Sequence, residues 1–511
     1  MPVHRHMHRS LASVFALRSE IDAWRQRRVT TATAGSDSAT AATPARSRSI
    51  AVLPFLNLSA DTDNAYFAEG LTEELITTLS KVHTLRVTSR RSSAMLRGTT
   101  KGSRAIARQL GVRYLLEGSV RRTTTRLRIS AQLIDAASDV NLWSETYDGT
   151  LEDVFTIQER CTRSVVTALE LRLTAGDAQG LAEPAIASFP AYDCYLRARY
   201  EGWRWRRESI DHAVRLLQHA SKIIGENLRL LTALGLVHLQ YREAGLDLTE
   251  CPLVEAERCA AKVFALVPGS AAGFQLRGWI QYSRGRIQSA VRDLKQSLAL
   301  EPHSADTLLL LCNCYLISGR VKEARPLLAR LLKVDPLTPI TRCMPAFADL
   351  MEGKFSAAIR PYQQMLEMDP ANPVARLFYI WVLILNRRGD EAKAVFVKFP
   401  PETLNTVPAR IASFLTRAAA GDRLEAQSTL TPQIESVAEA TDMFPRFLAQ
   451  GFAWAGMRAP ALKWLRRAID RGFINYPFLA RHDPSFKGLR GDPKFKELLT
   501  VVRNRWERFA A

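Results

Sequence analysis

Pro268, Pro302, Pro336 and Pro370 stand 34 residues apart, and so do Ala290, Ala324, Ala358 and Ala392. Gly285, Gly319 and Gly353 keep the same interval. Three residue types held in one register at one period leave few folds open. Such a unit has room for two helices of ordinary length and a tight turn. Glycine supplies the turn, because it takes positive φ without steric cost. The small alanine early in the second helix lets the pair approach closely, and proline ends that helix because it cannot continue the hydrogen-bond ladder. Stacked pairs bury a continuous core only when several units adjoin. The interval therefore predicts an all-α solenoid over 191–474.

The pattern resembles the tetratricopeptide repeat family, closely over 271–404 and more loosely over 191–270 and 411–474. "LDLTECPLV" reads as an insertion in the first loose stretch, and "GFAWAGMRAPALKWLRRAIDRG" as one further unit in the second. The resemblance implies that the first helix of each pair lines a concave groove. Counted from the prolines, Trp279, Asn313, Phe347 and Trp381 share one position, 34 apart, which faces that groove or, with the register one residue out, the core between helices. Aromatic area and an amide able to pair with backbone suit an extended protein or peptide partner. The tail 475–511, with "FKELLTVVRNRWERF", is expected to cap the array with polar-faced helices.

Ahead of the repeats the hydrophobic pattern changes. "SIAVLPFLNL" reads as a buried strand. Phe67, Leu71, Leu75 and Leu79 recur every four residues, as on one helix face. "SRAIARQLGV" is a helix stopped by Gly111. "RYLLEGSVRR", "RLRISAQLID" and "NLWSETYDG" form a meander, with Leu127, Ile129, Ala131 and Leu133 on one face of the middle strand. A long amphipathic helix, "LEDVFTIQERCTRSVVTALELRL", closes the unit. The order predicts an α/β sandwich-like domain with a mixed sheet over 49–174. "IAVLPFLNLS", "FAEGLTEELITTLSKV", "YLLEGSVRR", "LRISAQLIDA" and "LWSETYDGTLEDVFTIQE" resemble the TolB-like amino-terminal domain found beside tetratricopeptide repeats in bacterial signalling and regulatory proteins. That resemblance implies no catalytic role. Glu69, Glu117, Ser119, Gln132 and Asp135 could contact a ligand, but read better as groups that cap helices and satisfy the sheet.

Residues 29–48 are rich in Ala, Thr and Ser with almost no large apolar side chain, as in a flexible linker. Residues 1–28 resemble the wing and last helix of an excisionase-like or MerR-like winged helix-turn-helix. In the intact module Arg5, His6 and Arg9 would sit near DNA phosphates, positioning rather than specifying. The helices that would enter the major groove do not precede them, so DNA is a partner only if a helix-turn-helix stands upstream of Met1: a remnant, or a start assigned too far downstream. His4, His6 and His8 alternate with a spacing that zinc accepts, but no Cys, Asp or Glu lies beside them, and no metal site is expected.

The chain carries 70 Lys+Arg against 51 Asp+Glu, a surplus of +19. That favours acidic partners without choosing among nucleic acid, anionic lipid and protein. The seven cysteines are scattered and make no CxxC pair, as expected of small apolar residues in a reducing compartment. No run long enough to span a bilayer occurs, so the cytoplasm is expected. Phosphate loops, GxGxxG, HExxH and GxSxG are absent from the sequence, and between linker and repeats there is no room for a cyclase-like domain. The expectation is a non-enzymatic protein without cofactor. "RYEGWRWRRES" interleaves Trp203 and Trp205 with arginines, a mixture that could stack on bases but reads better as a packed helix end with arginines reaching water. The function expected is a regulatory scaffold whose groove binds a protein partner. The rivals are a DNA-binding regulator and an accessory part of an adenylate-cyclase-type signalling protein.

Overall fold

A computed structural model describes residues 4–7, 12–15, 48–59, 64–171, 173–174, 177, 186–202, 204 and 206–510. The chain divides into two units, Met1–Ser47 and Arg48–Ala511. In the first, β1 (His4–Met7) and β2 (Ala12–Phe15) pair antiparallel, with Arg5 opposite Val14 and His6 opposite Ser13. His8, Arg9, the expected helix at "SEIDAW" and the linker up to Ser47 lie outside the described residues.

The second unit opens with a six-stranded mixed sheet. β3 (Ser49–Val52) runs parallel to both β5 (Arg86–Val87) and β6 (Tyr114–Arg122), and β4 (Leu56–Asn57) joins β6 further along. β6, β7 (Arg126–Asp135) and β8 (Val140–Thr150) form the expected antiparallel meander. Leu127, Ile129, Ala131 and Leu133 are buried beneath α1 (Ala65–Ser80) and α4 (Val154–Ala168), while Arg126 and Arg128 on the opposite face are exposed. The short α2 (Arg90–Ala94) is capped by Ser89, and α3 (Ser103–Leu110) ends on Gly111 at φ 64°.

Helical pairs follow: α5 (Phe189–Gly202) with α6 (Arg207–Ile224), α7 (Leu228–Glu243) with α8 (Cys251–Leu266), α9 (Ala271–Ser283) with α10 (Ile287–Leu300), and α11 (Ala305–Ile317) with α12 (Val321–Val334). Then come α13 (Pro339–Met351) with α14 (Ile359–Met368), α15 (Pro373–Leu385) with α16 (Gly389–Val397), and α17 (Val407–Ala419) with α18 (Arg423–Ser428). α19 (Pro432–Ala440), the pair α20 (Phe444–Trp454) and α21 (Arg458–Asp470), and α22 (Pro493–Glu507) complete the chain. Gly285, Gly319 and Gly353 take φ of 74°, 70° and 81° in the turns between paired helices. Ala290, Ala324, Ala358 and Ala392 are wholly buried. The period reaches further than its prolines: Gly421 repeats the turn at φ 81°, and Arg387 holds φ 61° where the series would place glycine.

The apolar core does not break at the expected domain boundary. Phe67 and Leu133 share one cluster with Tyr192, Leu217 and Val237 of the first helical pairs. A polar hub ties the sheet unit to the array further on. The buried Asp335, after α12, accepts hydrogen bonds from the hydroxyls of Ser92 (2.6 Å), Thr338 (2.6 Å) and Thr341 (2.5 Å), and from Ser89. Leu337 N donates to Ser92 Oγ at 2.9 Å. With the Ser89 cap, this fixes α2.

The tail differs from a cap stacked on the last repeat. The chain after α21 returns across the turns of three earlier repeats. A Cβ at Gly285 would come within 2.6 Å of the Asp470 carbonyl, one at Gly319 within 2.7 Å of Asn475 Oδ1, and one at Gly353 within 2.6 Å of His482 Nδ1. Ile474 N donates to Ile317 O at 3.1 Å, and Asn475 Nδ2 to Leu316 O at 3.0 Å. Phe478, Phe486 and Phe495 are fully buried. The polar face that 475–511 shows in sequence is only its outer one.

Candidate functional site

The inner faces of α7, α9, α11, α13 and α15, with α20 and Arg91 of α2, enclose a cavity of about 580 Å³. These are the first helices of their pairs, and a solenoid presents that face on its concave side. Leu309, Leu310, Met344 and Phe378 make most of the wall apolar. Trp279, Asn313 and Phe347 all line it. Trp381 does not. It is fully buried in the core, with Nε1 donating to Gln450 Oε1 at 2.8 Å and its ring 5.2 Å from that of Phe447. Its register is that of the other three, but α20 lies across α15 and covers it.

The polar groups of the cavity are bound chiefly to one another. Trp279 Nε1 donates to Glu243 Oε1 at 2.5 Å. Asn313 Nδ2 donates to Tyr282 Oη at 2.6 Å, and the Tyr282 hydroxyl in turn donates to Asp442. Arg91 Nη2 pairs with Asp306 Oδ1 at 2.9 Å, which brings the sheet unit to the cavity wall. Burial and the neighbouring Asp442 carboxylate raise the Tyr282 phenol well above its ordinary value, so it stays a donor. Glu243 is open to the cavity yet ringed by protein. Desolvation pushes its carboxyl up to about 7, against the opposing bond from Trp279. Cys343, also in the wall, gives its thiol to Pro361 O at 3.3 Å, and burial pushes it up to about 12, far from a thiolate.

Arg446 is placed differently. Its guanidinium lies 5.5 Å from the ring centre of Phe347, 5.1 Å from Trp381, 5.5 Å from Phe447 and 4.9 Å from Phe473. The residue is 4% exposed, and burial lowers its pKa. Glu243, Tyr282, Asp442 and Arg446 escape the sequence reading, because none shares the position counted from the prolines. One signal was present: in "FPRFLAQGFAW" Arg446 is the single charged residue of an otherwise apolar helix.

Elsewhere the polar residues that the sequence singles out in the sheet unit cap none of the described helices; most pair with other side chains, and Glu117, Ser119 and Gln132 line a second cavity. Gln132 Nε2 donates to Glu117 Oε1 at 2.5 Å, Arg97 reaches Glu69 at 2.6 Å, and Arg113 clasps Asp135 at 2.6 Å. Cys161, Cys259, Cys312, Cys314 and Cys343 are buried free thiols, while Cys194 is half-buried and Cys251 exposed. Trp203 and Trp205 lie outside the described residues; the neighbouring Arg204 stacks on Tyr200 at 5.1 Å. Among the described residues, no helix is long and apolar enough to cross a membrane.

Comparison with known proteins gives two family matches. Residues 281–340 and 349–418 match the tetratricopeptide repeat. Residues 46–163 match the second domain of the HilA/YgeH-like transcriptional regulator. A protein of Rhizobium meliloti (strain 1021) named "Putative adenylate cyclase 3" is 45% identical over 175 residues, which are 34% of this chain and 30% of the relative. Among solved structures, a Rap protein complexed with competence and sporulation factor is 15% identical, over 63% of this chain and all of that one, with a TM-score of 0.45. A thermophilic TPR protein of Thermus thermophilus is 21% identical over 38% of this chain and all of its own, with a TM-score of 0.32. The helical pairs within 281–340 and 349–418 are tetratricopeptide repeats.

Proposed function

We propose that this chain is a non-enzymatic regulatory scaffold of bacterial signalling or transcription control, whose repeat array holds a segment of a protein partner in its inner cavity. The observation that carries the reading is the convergence of Trp279, Asn313 and Phe347, from three successive repeats, on one apolar cavity. Tetratricopeptide arrays offer such concave surfaces to other chains. The match of 46–163 to a transcriptional-regulator domain, and the TolB-like resemblance of 49–174, favour a regulatory setting in the cytoplasm. Within this reading 49–174 is a docked α/β module, 191–474 the binding array, and 475–511 its brace. Arg5, His6 and Arg9 would meet a DNA backbone only if a helix-turn-helix precedes them.

The test is affinity capture from the native cell with the full chain, Trp279→Ala, and Leu309→Glu. Both side chains sit in the cavity wall and are incompletely buried, so the variants should melt close to the unsubstituted protein. A partner held by the unsubstituted chain and lost from both variants is the expected result; an unchanged set of partners removes the proposal.

The 45% identity to the cyclase-named protein favours a second reading, in which the shared 175-residue stretch is a regulatory part common to both. It predicts no cyclic AMP from ATP by the purified chain. Turnover above a no-protein blank would overturn both readings.

A further inference from the structure

On the sheet face turned away from α1 and α4, two polar rows cross the strands. Glu117 of β6, Gln132 of β7 and Ser144 of β8 stand opposite one another, and two residues further along stand Leu56 of β4, Ser119, Ser130 and Thr146. A meander commonly leaves such a face to water. Here α3 covers the preceding part of the face, where Leu115 and Ala136 are buried in one cluster with Ile106 and Leu110. Residues 96–101 and Ile106 then stand beside the polar rows as a wall, and the step between wall and sheet is a cavity of about 450 Å³. Its aliphatic side is made by the buried Leu53, Leu96 and Ile106 and by Leu56, which is 61% exposed.

Among the described residues, two charged side chains line this cavity, Lys101 and Glu117. They stand further apart than the 4.0 Å of an ion pair. Glu117 accepts one hydrogen bond from those residues, donated by Gln132 Nε2 at 2.5 Å, and meets no Lys or Arg nitrogen of theirs within 4.0 Å. Lys101 Nζ donates once, to Gln109 Oε1 at 2.9 Å. A carboxylate and an ammonium group have more capacity than that. Arg97, next along the wall, is held by Glu69 at 2.6 Å. The hydroxyls of Ser119 and Ser144 bond to no described residue.

We propose that this cavity binds a free α-amino acid with an apolar side chain. Opposite charges that line one cavity without closing on each other suit a molecule that bears both. The ammonium group of the ligand meets Glu117, its carboxylate meets Lys101 and a serine hydroxyl, and its side chain lies along the aliphatic wall. No aromatic side chain is among the described lining residues, so a flat ring has nothing to stack on. The volume of about 450 Å³ lies within the range of roughly 300–1,000 Å³ that takes small ligands. The inference is independent of the partner cavity, whose reading stands or falls by capture through Trp279.

Isothermal titration calorimetry on the full chain tests it with L-leucine, L-isoleucine, L-valine, L-methionine and L-phenylalanine. At least one should bind with a Kd of about 1 mM or tighter. For the tightest, the matching amine without its carboxyl group and the matching acid without its amino group should each bind about tenfold more weakly or worse, since each loses a charged contact. Glu117→Gln should weaken the amino acid by about tenfold or more, while still accepting from Gln132 Nε2. Ser119→Val should abolish binding by filling the floor of the cavity. Valine suits a strand and Ser119 has no bond to forfeit, so this variant decides even where Glu117→Gln fails to fold. Amide exchange locates the site: the tightest ligand should slow residues 96–102 and leave α9 and α11 unchanged. Binding of none of the five at up to about 10 mM would overturn the proposal. So would an amine or acid bound as tightly as the amino acid, unchanged affinity in Ser119→Val, or slowed exchange in α9 and α11 in place of 96–102.

Discussion

At the residue scale, Glu243 is an acid whose surroundings oppose its charge. Its carboxyl is pushed up to about 7 in the folded chain, above the roughly 4.3 of an unfolded glutamate. Between those values the folded protein holds a proton that the unfolded chain has released. Stability from this group is therefore full at low pH and falls as pH rises from about 4.3 to about 7. Glu243→Gln keeps an acceptor for Trp279 Nε1 but has no proton to lose. The variant should gain on the unsubstituted protein between pH 5 and pH 8 when urea midpoints are compared. Parallel midpoints at the two pH values would show that Glu243 does not titrate in that window.

At the scale of elements, Arg387 is the exception that tests the rule for the turns. It holds φ 61° with an exposed side chain, at the place where the series would put glycine. A left-handed residue with a Cβ costs about 1–2 kcal/mol, and glycine gives back part of that through its freer unfolded state. Arg387→Gly should stabilise the protein by roughly 0.5–1 kcal/mol, read as a higher urea midpoint. Gly319→Ala should lower the midpoint, because a Cβ there meets both the left-handed backbone and Asn475. The turns, the buried alanines and the meander were legible in sequence because they follow from neighbouring residues alone. The cavity was legible only in part. Trp279, Asn313, Phe347 and Trp381 share a local register, but what covers each depends on how far the superhelix has turned by the time the chain comes back. Gln450 and Phe447 reach Trp381 across some 70 residues, and no local period encodes that. Arg446 was hidden for the same reason: a lone cation in an apolar helix signals something, but only the fold reveals that it sits among four aromatic rings with its Nε unbonded among the described residues.

At the scale of the whole molecule, the returning segment changes how the array holds together. Stacked repeats ordinarily touch only their neighbours, so their stability is close to a sum of local terms. Here Asn475, 1% exposed, bonds Leu316 O at 3.0 Å and accepts from Phe478 N at 3.0 Å. Asn475→Ala leaves the Phe478 N–H unsatisfied, at a cost of about 1–3 kcal/mol, and takes one of two donors from Leu316 O, which keeps Gly319 N. Amide exchange should accelerate in α11 and α12, some 160 residues away, while β6 and β7 keep their protection. A change confined to α21 and α22 would mean that the segment rests on the turns without bracing them. Because Asp470, Asn475 and His482 meet the glycines of three consecutive turns, the spacing along this strip of chain is matched to the rise of the superhelix. Duplication or loss of a single unit, the ordinary route by which such arrays grow and shrink, would throw that match out of step, so the copy number of this one is locked.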